Sequence, residues 1–234
     1  TSTGVCQPME GIGELCRKHD CLLLLDTVTS LGGVPLYIDD WKVDLSYSCS
    51  QKGLSCPPGL GPFTMGPRAE AKMEARTGKV PNWYLDVSLL NKYWGSDRVY
   101  HHTAPVNMNF GMREALRLLA EEGLDQAWAR HRRNAEALWT GMESLGLTMH
   151  VPYERRLPTL TTVRIPDGVD GKAFSQYLLN THGIEVGGGL GSLAGKIWRI
   201  GLMGFNSTPE NVNRLLNLFE TELPKFSGST AAAA

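Results

Sequence analysis

The stretch Cys21-Leu22-Leu23-Leu24-Leu25-Asp26-Thr27 decides how the chain is read, because an unbroken apolar run stops abruptly at a carboxylate and a hydroxyl. A continuous run of this length suits a strand buried on both faces, as in a parallel sheet covered by helices, although a buried helix segment shows the same periodicity. On its N-terminal side, Met9, Ile12, Leu15 and Cys16 carry helical spacing over residues 9–21. On its C-terminal side a second strand is expected over residues 43–48 and a third over 62–66, after the turn signal Pro57-Pro58-Gly59. The second strand runs straight into Cys49-Ser50-Gln51-Lys52. In open α/β sheets ligands collect at the carboxyl ends of strands, so Asp26 and Lys52 fall where a binding site is expected.

The rest of the chain reads as helices and short strands. Helices are expected over 106–122 and 124–145. The latter spaces Leu124, Trp128, His131, Ala135, Leu138, Met142 and Leu145 by alternating fours and threes. Beyond Gly146, β-like pieces at 160–165, 184–186 and 196–202 alternate with a helix over about 171–181 and a last helix. Ser207-Thr208-Pro209-Glu210 opens that last helix with a capping hydroxyl and a proline at its first position. These changes of pattern put a domain boundary near residue 125, giving units 1–125 and 126–226, with residues 227–234 as a disordered tail.

Composition removes several function classes. A net charge of -1 over 234 residues, with no basic block, offers nothing to a phosphate backbone or an anionic membrane, so no nucleic-acid or membrane partner is expected. The five cysteines are odd in number and never in CxxC spacing, which reads as reduced thiols in an intracellular protein. His101-His102 are adjacent, without the i,i+3 or i,i+4 spacing of a metal pair, so no metal is expected there. Gly187–Gly191 lacks the Lys-Ser/Thr ending of a phosphate loop and reads as a tight turn where backbone approaches a substrate or Arg199. The first residue is not Met and already reads as mid-domain, so further sequence is expected before Thr1.

On position alone, Lys52 is more often a solvated loop lysine, Asp26 a cap or turn residue, and Arg199 a structural ion-pair partner. Four ordered motifs shift that balance: 24–33 around Asp26, 48–59 around Lys52, Tyr100-His101-His102-Thr103-Ala104-Pro105, and Gly187-Gly188-Gly189-Leu190-Gly191 followed by Trp198-Arg199-Ile200-Gly201. In this order and spacing the chain, from Thr1 to about Phe226, resembles the alanine–glyoxylate and serine–glyoxylate aminotransferases of the class V family, which depend on pyridoxal 5′-phosphate. The resemblance implies an α/β chain of PLP-dependent transferase fold type I: the C-terminal part of the large, parallel or mixed-sheet domain plus a small α+β domain.

It also implies roles, position by position. Lys52 resembles the lysine that carries the cofactor as a Schiff base and moves the proton at the substrate α-carbon. Asp26 resembles the carboxylate that keeps the pyridine nitrogen protonated. Arg199 resembles the arginine that grips the substrate carboxylate with both arms of its fork. Thr1 aligns with a hydroxyl residue beside the cofactor's O3′, and Gln51 lies near the phosphate by analogy. Tyr100 and Thr103 resemble residues that reach across a homodimer interface to the neighbour's cofactor phosphate.

The activity so implied is transfer of an amino group from L-alanine or L-serine to glyoxylate. Cysteine desulfurases and aminoethylphosphonate transaminases share the fold and stay open as alternatives, as does a fragment without catalysis that acts at most as a dimerisation partner. The family's main phosphate-binding turn and ring-stacking aromatic belong to a segment upstream of Thr1. The resemblance implies an intracellular location, in a peroxisome or mitochondrion; some members of the family end in a peroxisomal tripeptide, which is not seen at the end of this sequence.

Overall fold

The computed structural model describes residues 1–228. In chain order the regular elements are α1 (Ile12–Lys18), β1 (Leu24–Asp26), β2 (Leu45–Tyr47), β3 (Phe63–Met65), α2 (Pro67–Glu74), α3 (Val87–Trp94), α4 (Val106–Glu122), α5 (Leu124–Ser144), β4 (Leu160–Arg164), α6 (Gly171–His182), β5 (Gly187–Gly188), β6 (Ile197–Gly201) and α7 (Pro209–Glu222). They build two three-stranded sheets, β1-β2-β3 and β4-β6-β5.

In the first sheet β1 and β2 run parallel, with Asp26 beside Tyr47, and β3 returns antiparallel. Hydroxyls bind the carboxyl ends of the two parallel strands together: Thr27 donates to Tyr47 O at 2.8 Å, and Ser48 donates to Thr27 O at 3.0 Å. The expectation that the Leu22–Leu25 run is buried on both faces is corrected. Leu24 is 57% exposed and β1 is an edge strand, with a neighbour on one side only among the described residues.

The second sheet is wholly antiparallel and packs one face on α5, α6 and α7. Alternation along β6 sends Trp198 and Ile200 into this core beside Val163, Phe174, Leu138, Met142, Val212 and Phe219. Phe174, Trp198 and Phe219 meet pairwise edge-on, with centroids 5.0–5.5 Å apart. The buried indole nitrogens find acceptors: Trp198 in Gly171 O at 3.0 Å and Trp139 in the Thr161 hydroxyl at 2.8 Å. α7 starts where its capping residues indicate, Thr208 accepting from Asn211 N–H at 3.2 Å with Pro209 at the first helical position.

The other face of the second sheet carries Leu160, Arg199, Gly201 and Gly187 toward the ends of β1 and β2. Here the strand expected at 184–186 is displaced to Gly187–Gly188, and the glycine run is not all turn: Gly187 pairs with Arg199 and Gly188 with Trp198. The turn itself falls at Gly191–Leu193. Residues 3–6 cross to the second half of the chain. Cys6 N–H donates to Arg155 O at 2.8 Å, and the Thr162 hydroxyl to Thr3 O at 2.9 Å. Of the tail expected to be disordered, Gly228 N–H donates to Gly168 O at 3.0 Å and Ser227 bridges to Val169, while residues 229–234 lie outside the described ones.

Candidate active site

The end of β1, the loop after β2, strand β6 and the chain start converge on a cavity of about 620 Å³, lined by Thr1, Asp26, Val28, Thr29, Lys52, Glu185, Arg199 and Met203, among others. Asp26 ends β1 with each carboxylate oxygen already engaged once. Oδ1 accepts from Val28 N–H at 2.8 Å and Oδ2 from the Tyr47 hydroxyl at 2.7 Å. Both bonds orient the carboxylate, and each oxygen keeps a further lone pair for an N–H donor. Donating to Asp26 pushes the Tyr47 hydroxyl above its ordinary phenol value.

Lys52 rides on the loop after β2. Ser50, fully buried, ties that loop: its hydroxyl donates to Pro57 O at 2.7 Å and its carbonyl accepts from Cys56 N–H at 3.0 Å. Ser55 holds the left-handed region at φ 57°, and its N–H closes the turn onto Lys52 O at 2.9 Å. Gly53 lets this loop press against the one that follows Asp26, because a Cβ there would collide with Leu31 O. Gly53→Ala in the full-length protein is therefore expected to destabilise by about 1–3 kcal/mol and to displace Lys52. Thermal unfolding and cofactor uptake check it, and an unchanged melting temperature with normal uptake rejects the packing argument.

Arg199 extends from β6. Its Nε donates to Gly188 O at 2.6 Å, and among the described residues no carboxylate lies within ion-pair distance, so the Nη groups face the cavity uncommitted. Thr1 lines the same space, with its hydroxyl 2.6 Å from that of Thr3.

Other expected site residues stand elsewhere. Gln51 is exposed and does not line the cavity. Tyr100, 71% exposed, and Thr103 share a hydrogen bond of 2.9 Å outside it. His101 stacks on Trp83 at 4.0 Å and bonds Trp83 O and His102, so this pair is committed to its own aromatic cluster. Sequence reading missed Tyr47, Glu185 and Thr29. A tyrosine ending the neighbouring parallel strand was the available signal for the first, and the period-2 relation of Glu185 to Gly187 for the second.

Comparison with known proteins follows the same lines. The family model described as aminotransferase class-V matches residues 1–215. Alanine–glyoxylate aminotransferase of Oryctolagus cuniculus is 47% identical over 92% of this chain and 56% of its own length. (S)-Ureidoglycine–glyoxylate transaminase of Bacillus subtilis (strain 168) is 38% identical over 99% of this chain and 60% of its own. A crystal structure of alanine–glyoxylate aminotransferase from Nostoc sp. superposes with a TM-score of 0.91 at 64% identity, covering 94% of this chain and 58% of that one. The chain thus spans little more than half the length of these relatives.

The cavity suits the family's cofactor, pyridoxal 5′-phosphate. An anchored carboxylate is available for a ring N–H, a primary amine for the aldehyde carbon and hydroxyls for the ring oxygen. None of the residues lining it is aromatic among those described, so ring stacking is not supplied from this lining. With the matched model, the relatives and the superposed fold in agreement, the chain belongs to the class-V aminotransferases, of the PLP-dependent fold type I.

Proposed function

We infer that the protein containing this chain transfers the amino group of L-alanine or L-serine to glyoxylate, forming glycine and pyruvate or hydroxypyruvate. The observation that carries the reading is the meeting of Asp26 from the end of β1, Lys52 from the loop after β2 and Arg199 from β6 on one cavity. When bound, pyridoxal 5′-phosphate supplies the carbonyl that takes up the amino group and the ring that withdraws electrons from the α-carbon. Lys52 holds the cofactor covalently and then takes and returns the proton at the substrate α-carbon. Asp26, steadied by Val28 N–H and Tyr47, accepts from the ring N–H. Arg199 orients each carboxylate substrate through its two Nη groups. Thr1, on the cavity wall, would hydrogen-bond the ring oxygen.

Small monocarboxylates fit this lining. Among the described residues Arg199 is the one guanidinium lining the cavity, and Glu185 shares the wall, so a second carboxylate would meet like charge. Tyr100 and Thr103, which do not line this cavity, are assigned to the cofactor phosphate of a second subunit in a homodimer, with Gln51 near this subunit's own. Exposed Trp94, Tyr100, Val106 and Phe110 along that segment support such an interface.

The test is a pair of half-reactions on the full-length, cofactor-loaded protein. L-Alanine or L-serine is expected to bleach the visible absorbance of the lysine-bound cofactor, and glyoxylate to restore it. Bleaching by neither amino acid, or sulfur release from cysteine in its place, would overturn the reading in favour of another fold-type-I chemistry.

A further inference from the structure

His131 on α5 is 1% exposed and lies outside the cavity, yet it touches the loops that follow β1 and β6, at Gly33 and Gly204. Its Nδ1 lies 2.7 Å from Ala127 O, one turn back, and its Nε2 lies 2.8 Å from the Gly204 amide. A carbonyl only accepts and an amide N–H only donates, so both contacts are made by the neutral ring with its proton on Nδ1. Gly204 follows Met203, which lines the cavity, and β6, which carries Arg199.

The same helix grips the rest of that turn. Arg130 donates to Gly204 O at 2.9 Å and Ser207 O at 3.0 Å, and Asn134 donates to Ser207 O at 2.8 Å. On its far side the turn meets the Lys52 loop: Phe205 N–H donates to the Ser55 hydroxyl at 2.7 Å, and a Cβ on Gly204 would collide with that hydroxyl. Gly33 presses on the imidazole, where a Cβ would sit 3.3 Å from Cδ2. Thr159, also against Gly33, donates to the carbonyl of Thr29, a cavity residue.

We propose that His131 is a positioning residue: by accepting the Gly204 amide, its neutral imidazole seats the 203–207 turn against the Lys52 loop and so sets the spacing of Arg199 from Lys52. Two charged groups lie close to the ring, Arg130 on its own helix and Glu122 from the end of α4, and they pair with each other at 2.5 Å. Gly33, Thr159 and Gly204 bring no charge. Burial lowers the His131 pKa below its ordinary 6.5, so the accepting form prevails at neutral pH. Proton uptake in acid would set a second N–H against the Gly204 amide and release the turn.

The catalytic part of this proposal rests on the reading of Lys52 and Arg199 given above; the turn-seating part does not. The test compares His131→Asn with His131→Gln in the full-length protein. The Gln amide oxygen reaches the place of Nε2 and can accept from Gly204, whereas the Asn amide reaches only the place of Nδ1. Hydrogen exchange at the Gly204 and Phe205 amides is expected to lose about tenfold of its protection in the Asn variant and to stay within about threefold of wild type in the Gln variant, the loss being that of one hydrogen bond. KM for L-alanine is expected to rise by a similar factor in the Asn variant only.

Equal loss in the two variants, or wild-type protection in the Asn variant, overturns the proposal. Should the Asn variant not fold, Ser55→Ala removes the hydrogen bond that joins the turn to the Lys52 loop, and unchanged Phe205 protection there overturns the seating instead. Exchange that follows the expected pattern in a protein inert toward alanine and serine would leave the clamp standing and reject the transaminase reading.

Discussion

Replacing Lys52 with alanine in the full-length protein will remove the visible absorbance of the bound cofactor and lower turnover by roughly 10⁴-fold or more. Covalent attachment and proton transfer at the α-carbon both depend on this one amine. Little else should change. The loop is held by Ser50, Gly53 and Ser55 through backbone contacts, and among the described residues the Lys52 side chain makes no hydrogen bond or ion pair of its own. Folding stability of the cofactor-free protein should therefore stay within about 0.5 kcal/mol of cofactor-free wild type. Absorbance spectra, single-turnover kinetics and thermal unfolding, taken together, check this. A variant that kept the absorbance would show that another amine holds the cofactor.

The second large effect is expected at Arg199. Its Nε is already committed to Gly188 O, which turns the fork so that both Nη groups are left for the two oxygens of one carboxylate. Arg199→Lys keeps the charge but loses the bidentate geometry and the anchor on Gly188. KM for the amino donor and for glyoxylate should rise together, by roughly 10–100-fold, because a charge-assisted hydrogen bond contributes about 1.5–3 kcal/mol. Cofactor absorbance should be unaffected, since Asp26 and Lys52 are untouched. A rise confined to one substrate would place the two carboxylates at different cations.

Much of this arrangement was legible in the residues, for physical reasons that vary from place to place. Position drew attention to Asp26 and Lys52, at or just beyond the ends of strands, but on position alone a cap or turn residue and a solvated lysine were the commoner readings, and the ordered motifs shifted the balance. Helices α4 and α5 were found almost to the residue, because Gly123 separates them and the spacing of Leu138, Met142 and their neighbours is uninterrupted. Arg199 was not legible by position: an arginine on an apolar strand looks like an ion-pair partner, and only the ordered motifs pointed to its role.

Other features are tertiary and leave no local trace. The pairing of Tyr47 with Asp26 depends on parallel register. The exposure of Leu24 depends on how many neighbours β1 has. The displacement of β5 onto Gly187–Gly188 depends on which residues β6 presents, and glycine has no strand preference to announce it. The contact of Gly204 with Ser55 joins two loops at great sequence separation, which no spacing rule reaches.

The edge position of β1 bears on handling as well as on architecture. Leu24, Leu25 and Asp26 present a row of backbone donors and acceptors on their outer side, beside an exposed apolar side chain. Such a border is a template for strand addition. In the longer relatives more than two-fifths of the chain lies outside the region matched here, so there is ample sequence to occupy that border in cis. Handled alone, residues 1–234 would offer the same border to any extended segment in solution, copies of the chain included, and self-association would compete with cofactor binding as concentration rises.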